Sequence, residues 1–312
     1  MSLSRVEERR IHVRAPGKVN VFFDVGDLQD DGYHPVASVY QALALFEDVW
    51  ASHDDEFSVT VTGDVEVSDV PLDGSNLAVR AAREVARAVG WDGGVRLHLH
   101  KGVPVAGGMG GGSADAAATL VAVNALLDGG LSSSELHELA AGLGADVPFA
   151  LLGGTAVGTG RGEQLAPALV RGKFHWVLVT QEDGISTPEA YAGLDELRAR
   201  MDIAPRRTVP TVDAEVLQAL RAGDAPALAA AMRNDLQAVA LARRPSLGEV
   251  IEAGMAIGAR GALVSGSGPT VGFLTDDAAA AASLAEALNR DGHTAIATHG
   301  PVPGARIVST EG

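Results

Sequence analysis

Between Val103 and Leu120 the chain reads VPVAGGMGGGSADAAATL, with five glycines packed from Gly107 to Gly112 and then Ser113, Ala114 and Asp115. Glycine loses more backbone freedom on ordering than other residues, so a folded protein keeps such a cluster for a reason. Three uses are open: a flexible linker, a tight turn, or a cradle whose successive N–H groups aim at one anion. Linkers surround glycine with serine and other polar residues, whereas an apolar strand and an apolar helix abut this cluster. A turn alone needs one or two glycines. A helix starting near Ser113 adds the positive end of its dipole to the aimed amides, so phosphate binding is the favoured chemistry. No lysine follows the glycines as a P-loop requires, and G-x-G-x-x-G fits the cluster in no register. H-R-D and D-F-G, marks of protein kinases, are absent. Residue types and spacing therefore reach an anion-binding strand–loop–helix and stop there.

Other residues could serve such a loop. Lysine is scarce, with Lys18, Lys101 and Lys173 the full set. Asp146 lies in GADVPF, between small and apolar neighbours where a carboxylate needs a partner; a capping role is its alternative. Asp115, in the first turn of the loop helix, suits that helix end electrostatically. Tyr33 and His34 stand out in a chain that is only 4% aromatic. No carboxylate cluster has metal-ligand spacing. Absence of cysteine excludes disulfides, thiolate metal sites and cysteine nucleophiles.

The elements that must position these residues follow from the patterning. The chain has 312 residues, 46% hydrophobic and 21% charged, which fits two medium globular domains. Apolar runs are too short to cross a bilayer, and the N-terminus lacks an apolar signal core; a cytoplasmic protein is expected. The net charge of −16 argues against nucleic-acid or anionic-membrane partners. Residues 1–165 hold 11 Lys and Arg against 23 Asp and Glu, a net −12, so any phosphate there must be held by aimed amides, placed cations and a metal ion. IHVRAPGKVNVFFDVGDL reads as strand, turn, strand, and EFSVTVTGDVEV and GVRLHLHKGVPV alternate as strands. A helix ends at Gly90, and further helices are expected near 188–199, 212–222, 225–241, 245–257 and 277–290. Strands interspersed with helices in both halves predict an α+β protein of two domains, 1–165 and 166–312.

Three segments carry a resemblance. PVAGGMGGGSADAA is similar to the second signature of the GHMP kinases, APGKVNV at 15–21 to the first, and SGSGPT at 265–270 to the third, in family order. DGYH at 31–34 and GADVPF at 144–149 resemble one branch in particular. Its members phosphorylate the 2-hydroxyl of a cytidine-diphosphate-linked methylerythritol in non-mevalonate isoprenoid synthesis. The resemblance implies a two-domain GHMP kinase fold, with an N-terminal ATP-binding domain and a C-terminal α/β sandwich. It implies ATP and Mg²⁺ as cofactors, a small-molecule substrate, and a monomer or weak homodimer. It makes Lys18 and Asp146 catalytic, and it gives ATP to Pro104, Val105, Ala106, Gly107, Gly108, Met109, Gly110, Gly111, Gly112, Ser113 and Ala114, with Asn76 and Lys101 near the adenine. Asn20, Tyr33, His34, Thr187 and Tyr191 fall to the substrate, Tyr33 and His34 gripping the cytosine and Tyr191 closing over its other face. A homoserine- or mevalonate-type kinase and a non-catalytic ligand-binding relative are the alternatives.

Overall fold

The computed structural model describes residues 9–105, 107–181, 184–203 and 209–312. The first half supplies β1 (Arg10–Val25), β2 (Val36–Asp54), β3 (Ser58–Gly63), β4 (Gly94–Lys101), β5 (Thr155–Thr159) and β6 (Gln164–Pro167). A second, antiparallel sheet holds β7 (Phe174–Thr180), β9 (Gly261–Val264), β10 (Val271–Thr275) and β11 (Thr294–Gly300), ordered β11-β7-β10-β9. Two later pieces, β8 (Arg233–Asn234) and β12 (Arg306–Glu311), return to the first sheet and both pair with β1. That sheet runs β12-β1-β2-β4-β3, with β5 and β6 branching from β2. The division expected at 165/166 falls within β6, and the last strand crosses it.

Pattern and packing agree along β1, where Ile11, Val13 and Ala15 are buried and His12 and Arg14 face outward. The turn expected within IHVRAPGKVNVFFDVGDL does not interrupt Arg10–Val25. β1 runs through it, with shifts of register against β2 between Pro16 and Gly17 and between Asn20 and Phe22. Proline removes one ladder donor, and the strand tolerates it because β12 pairs β1 only as far as Arg14.

Helices α1 (Leu77–Val89), α2 (Gly111–Leu126), α3 (Ser133–Leu143) and α4 (Val147–Leu152) pack on one face of the first sheet around a shared core. α1 shows why its bounds were readable: Asn76 caps it, and Gly90 closes it in the left-handed conformation. α2 begins at Gly111, two residues before the expected start, and is buried continuously from Ala114 to Leu120. An apolar helix of this kind belongs in the middle of a domain.

The second half adds α5 (Thr187–Arg200), α6 (Ala214–Ala222), α7 (Ala225–Ala231), α8 (Gln237–Arg243), α9 (Ser246–Ile257) and α10 (Ala278–Arg290). The single helix expected at 225–241 is two, broken where β8 pairs with Phe22 and Phe23. Buried Asn234 explains the break. Its amide donates to the carbonyls of Val264 and Gly266 at 2.8 and 2.7 Å, and its oxygen accepts from Leu236 N–H at 2.9 Å. Satisfying those buried groups outweighs one more helical turn.

The two sheets share a core in which Val19, Phe22 and Leu43 meet Trp176, Leu178 and Leu263. Trp176 Nε1 donates across it to Gln41 Oε1 at 2.9 Å. Among the described residues no helix is long and apolar enough to cross a membrane.

Candidate active site

β1 projects Lys18 and Asn20 to one side while Val19 and Val21 enter the core. The Lys18 backbone N–H donates to Met109 O at 2.9 Å, which fastens the glycine loop to the strand. The Lys18 ammonium donates to Asn20 Oδ1 at 2.7 Å and lies 3.4 Å from Asp146 Oδ2. Asn20 is held in turn: its amide donates to Ser38 Oγ at 2.8 Å, and its backbone N–H to Ser265 Oγ at 3.1 Å. An ammonium has three donors, so Lys18 keeps capacity for an oxygen arriving from the cleft.

Asp146 stands at the start of α4, yet its side chain makes no capping bond. The carboxylate turns toward Lys18 and is 31% exposed, against 8% for the lysine side chain. It faces a cleft of about 1030 Å³ that reaches Gly108 and Ser113 on one side and His34 and Tyr191 on the other.

The glycine loop is shaped by two positions in left-handed backbone, Gly108 at φ +70° and Gly110 at φ +73°. A Cβ on Gly107 would sit 2.8 Å from Thr270 Oγ1, and one on Gly108 would sit 3.1 Å from Gly268 O. The second and third signature segments are therefore pressed together. A Cβ on Gly111 would lie 2.7 Å from Glu47 Oε1, whereas one on Gly112 meets nothing nearer than Leu77 at 3.8 Å. Gly112 is exposed at the first turn of α2, open to a ligand's approach.

Several expected nucleotide residues lie behind this surface. Met109 is buried in the core shared by the sheets, and Ala114 is buried in α2. Pro104 and Val105 lead into the loop, while Ala106 lies outside the described residues. Asn76 has both amide groups engaged, accepting from Ala78 N–H at 2.9 Å and donating to Pro71 O at 2.7 Å. Lys101 is buried beneath Gly111, 2.7 Å from Glu47 Oε1 and 2.5 Å from Asp115 Oδ2. Burial pushes the Glu47 carboxyl up to about 8, with Asp115 adding repulsion while Lys101 and the Gly102 N–H oppose. Burial likewise raises Asp115. For Lys101 burial favours the neutral amine, but the two carboxylates overcome it and hold the ammonium charged.

The far end of the cleft is aromatic. The Arg161 guanidinium lies 3.5 Å from the centre of the half-exposed Tyr33 ring, and its NH2 is 3.2 Å from Asp31 Oδ2. His34 stacks on Tyr191 with ring centres 5.0 Å apart, and its Nε2 meets Asp195. Burial, with the Asp146 charge adding, lifts the Tyr191 phenol to about 12. Thr187 Oγ1 is 3.1 Å from Ser267 Oγ, tying the start of α5 to the third signature loop. Sequence reasoning missed Ser38, Arg161, Asp195 and Asn234, and it marked Ser265 only as part of the third signature segment. Among the four, spacing gave a signal only for Asp195, one turn beyond Tyr191 on α5.

Among the described residues no group of three or more His, Cys, Asp or Glu could hold a metal ion. The glycine loop adjoins the acid–lysine pair, with a Cβ on Gly110 falling 3.9 Å from Asp146 Oδ2, and a loop of aimed amides beside such a pair in one cleft is the arrangement of a small-molecule phosphotransferase. The model for the GHMP kinases N terminal domain matches residues 76–154, and that for the GHMP kinases C terminal matches 216–294. A 4-diphosphocytidyl-2-C-methyl-D-erythritol kinase of Leifsonia xyli subsp. xyli is 56% identical over 96% of this chain and 99% of its own. A kinase of the same name from Clavibacter michiganensis subsp. michiganensis is 54% identical, with 96% of each chain covered. The crystal structure of a 4-(cytidine 5'-diphospho)-2C-methyl-D-erythritol kinase superposes with a TM-score of 0.75 at 33% identity, over 93% of this chain and 98% of that one. A mevalonate kinase from L. major shares the fold, with a TM-score of 0.73 at 14% identity. The chain belongs to the GHMP kinases.

Proposed function

We propose that this chain transfers the γ-phosphoryl group of ATP to the 2-hydroxyl of 4-(cytidine 5'-diphospho)-2-C-methyl-D-erythritol, serving isoprenoid precursor synthesis in the cytoplasm. The observation that carries the reading is one continuous cleft joining the glycine loop, the Lys18–Asp146 pair and the His34–Tyr191 pair. Near full-length identity to kinases of that name supports it.

In this reading the amides at the start of α2 and the Ser113 hydroxyl hold the triphosphate, and Gly112 gives the room for its approach. The acceptor hydroxyl lies between Asp146 and Lys18. Its oxygen attacks the γ-phosphorus as the bond from that phosphorus to the β–γ bridging oxygen breaks and ADP leaves. Asp146 accepts the hydroxyl proton, and Lys18 stabilises charge on the transferring group. A Mg²⁺ ion carried on the nucleotide would neutralise phosphate charge, and Ser113 is the side chain whose hydroxyl would help hold it, because Mg²⁺ keeps waters and needs few protein ligands.

A homoserine- or mevalonate-type activity makes no use of the aromatic end, and a ligand-binding relative has no need of a paired lysine and aspartate. Incubation of the purified protein with ATP, Mg²⁺ and each candidate alcohol, followed by ³¹P NMR, tests the assignment. A new phosphomonoester on the cytidine-linked alcohol alone is expected. Equal turnover of homoserine or mevalonate would overturn it.

A further inference from the structure

α5 presents Thr187, Tyr191 and Asp195 to the cleft at intervals of four residues, one turn apart on one face. Two of them grip the same side chain. Tyr191 covers the face of the His34 ring at an interplanar angle of 27°. Asp195 takes the ring edge, with its two oxygens 3.0 and 3.1 Å from Nε2. The His34 side chain is 7% exposed and held in the cleft wall. A carboxylate accepts and does not donate, so the ring proton is drawn to Nε2. In the neutral ring that makes Nδ1 an acceptor.

We infer that Asp195 is a specificity-determining positioning residue, which fixes His34 as the Nε2–H tautomer so that Nδ1 meets the nucleobase as an acceptor. The inference rests on the cytidine-linked substrate proposed above. Cytosine carries an amino donor at C4, which an acceptor satisfies; uracil carries a carbonyl there, and two acceptors would face each other. A site that leaves a buried polar group unpaired rejects the wrong ligand far more strongly than an apolar wall does. Asp195 thus converts an imidazole able to donate or accept into a reader of one base edge. Sequence distance hid the contact, since the partners are 161 residues apart.

Two measurements test this. A long-range ¹H–¹⁵N spectrum of the histidine-labelled free protein, with His34 assigned by loss in His34→Asn, is expected to show Nε2 protonated and Nδ1 bare. A doubly protonated ring, or the same tautomer retained in Asp195→Ala, overturns the inference. The second measurement compares kcat/KM for cytidine- and uridine-linked methylerythritol. Asp195→Ala is expected to lower the cytidine preference about tenfold or more, through acceptor KM, with ATP KM unchanged. Asp195→Asn keeps an acceptor oxygen and is expected to retain part of the preference; it also serves if the alanine variant fails to fold. Equal losses on both substrates contradict the role. Failure of the parent protein to phosphorylate the cytidine-linked alcohol would instead overturn the proposed function, and the tautomer would still be read in the free protein.

Discussion

Lys18 Nζ and Asp146 Oδ2 lie 3.4 Å apart, brought together from the middle of the sixteen-residue β1 and the mouth of a six-residue helix. The lysine is buried and the aspartate is partly open to the cleft. A cation held this way is oriented before any ligand arrives, so little reorganisation accompanies phosphoryl transfer. Lys18→Met keeps the length of the side chain and removes the charge. Its kcat is expected to fall about 10²- to 10³-fold, and equilibrium ATP binding measured by calorimetry is expected to change far less. A large loss of ATP affinity with kcat intact would move Lys18 from the reacting centre to the nucleotide.

The glycine loop offers a paired test because two neighbouring positions differ in what lies behind them. Gly112→Val places a side chain where the fold has room, so melting temperature is expected to hold while the KM for ATP rises steeply. Gly111→Val drives a methyl group toward Glu47 Oε1, 2.7 Å from its Cβ, and is expected to lower the melting temperature by disturbing the buried lysine beneath. An unchanged ATP KM in folded Gly112→Val would remove the loop's amides from the nucleotide site.

The buried trio of Glu47, Lys101 and Asp115 predicts a pH dependence with a definite sign. Burial raises the Glu47 carboxyl from 4.5 to about 8, so the folded state binds this proton more tightly than the unfolded chain. The associated stability is present in full below the ordinary carboxylate range and is lost as pH rises toward 8. Glu47→Gln resembles the protonated acid and does not titrate. Its stability relative to the parent, from urea midpoints across pH 4–9, is expected to climb through that window. A difference flat with pH would mean that folding leaves the proton affinity of Glu47 unchanged.

Much of this site was legible in the sequence, and the reasons are local. Gly90 and Asn76 mark their helix because caps are written within a few residues of the turn they satisfy. The three signature segments likewise carry their own spacing, and the fold presses two of them together at Gly107 and Thr270. What escaped notice depends on partners distant in sequence. Pro16 looked like a turn because nothing nearby reveals that β12 stops at Arg14. The helix expected through 225–241 breaks because Asn234 serves carbonyls at Val264 and Gly266, about thirty residues away. Lys101, expected near the adenine, is buried because two acids from β2 and α2 converge on it.

Asn234 also predicts an ordering of variants. Asn234→Ala leaves two carbonyls and the Leu236 N–H without their buried partner, at a cost on the order of 2–4 kcal/mol. Asn234→Asp turns a donor into a negative acceptor facing those carbonyls and is expected to be worse. Chemical denaturation of the pair checks the order, and an aspartate variant as stable as the parent would contradict the assigned contacts.

Asp146→Asn bears most directly on the account that a carboxylate beside Lys18 takes the proton of the attacked hydroxyl. Asparagine keeps the shape, cannot accept the proton, and presents an amide donor where an acceptor was needed. Because the aspartate makes no capping bond, the fold is expected to survive with its melting temperature little changed. Turnover with the cytidine-linked alcohol and equilibrium ATP binding are measured on the same preparation. The account predicts a kcat lower by about 10²- to 10⁴-fold with ATP affinity nearly unaltered; turnover close to that of the parent protein would contradict it.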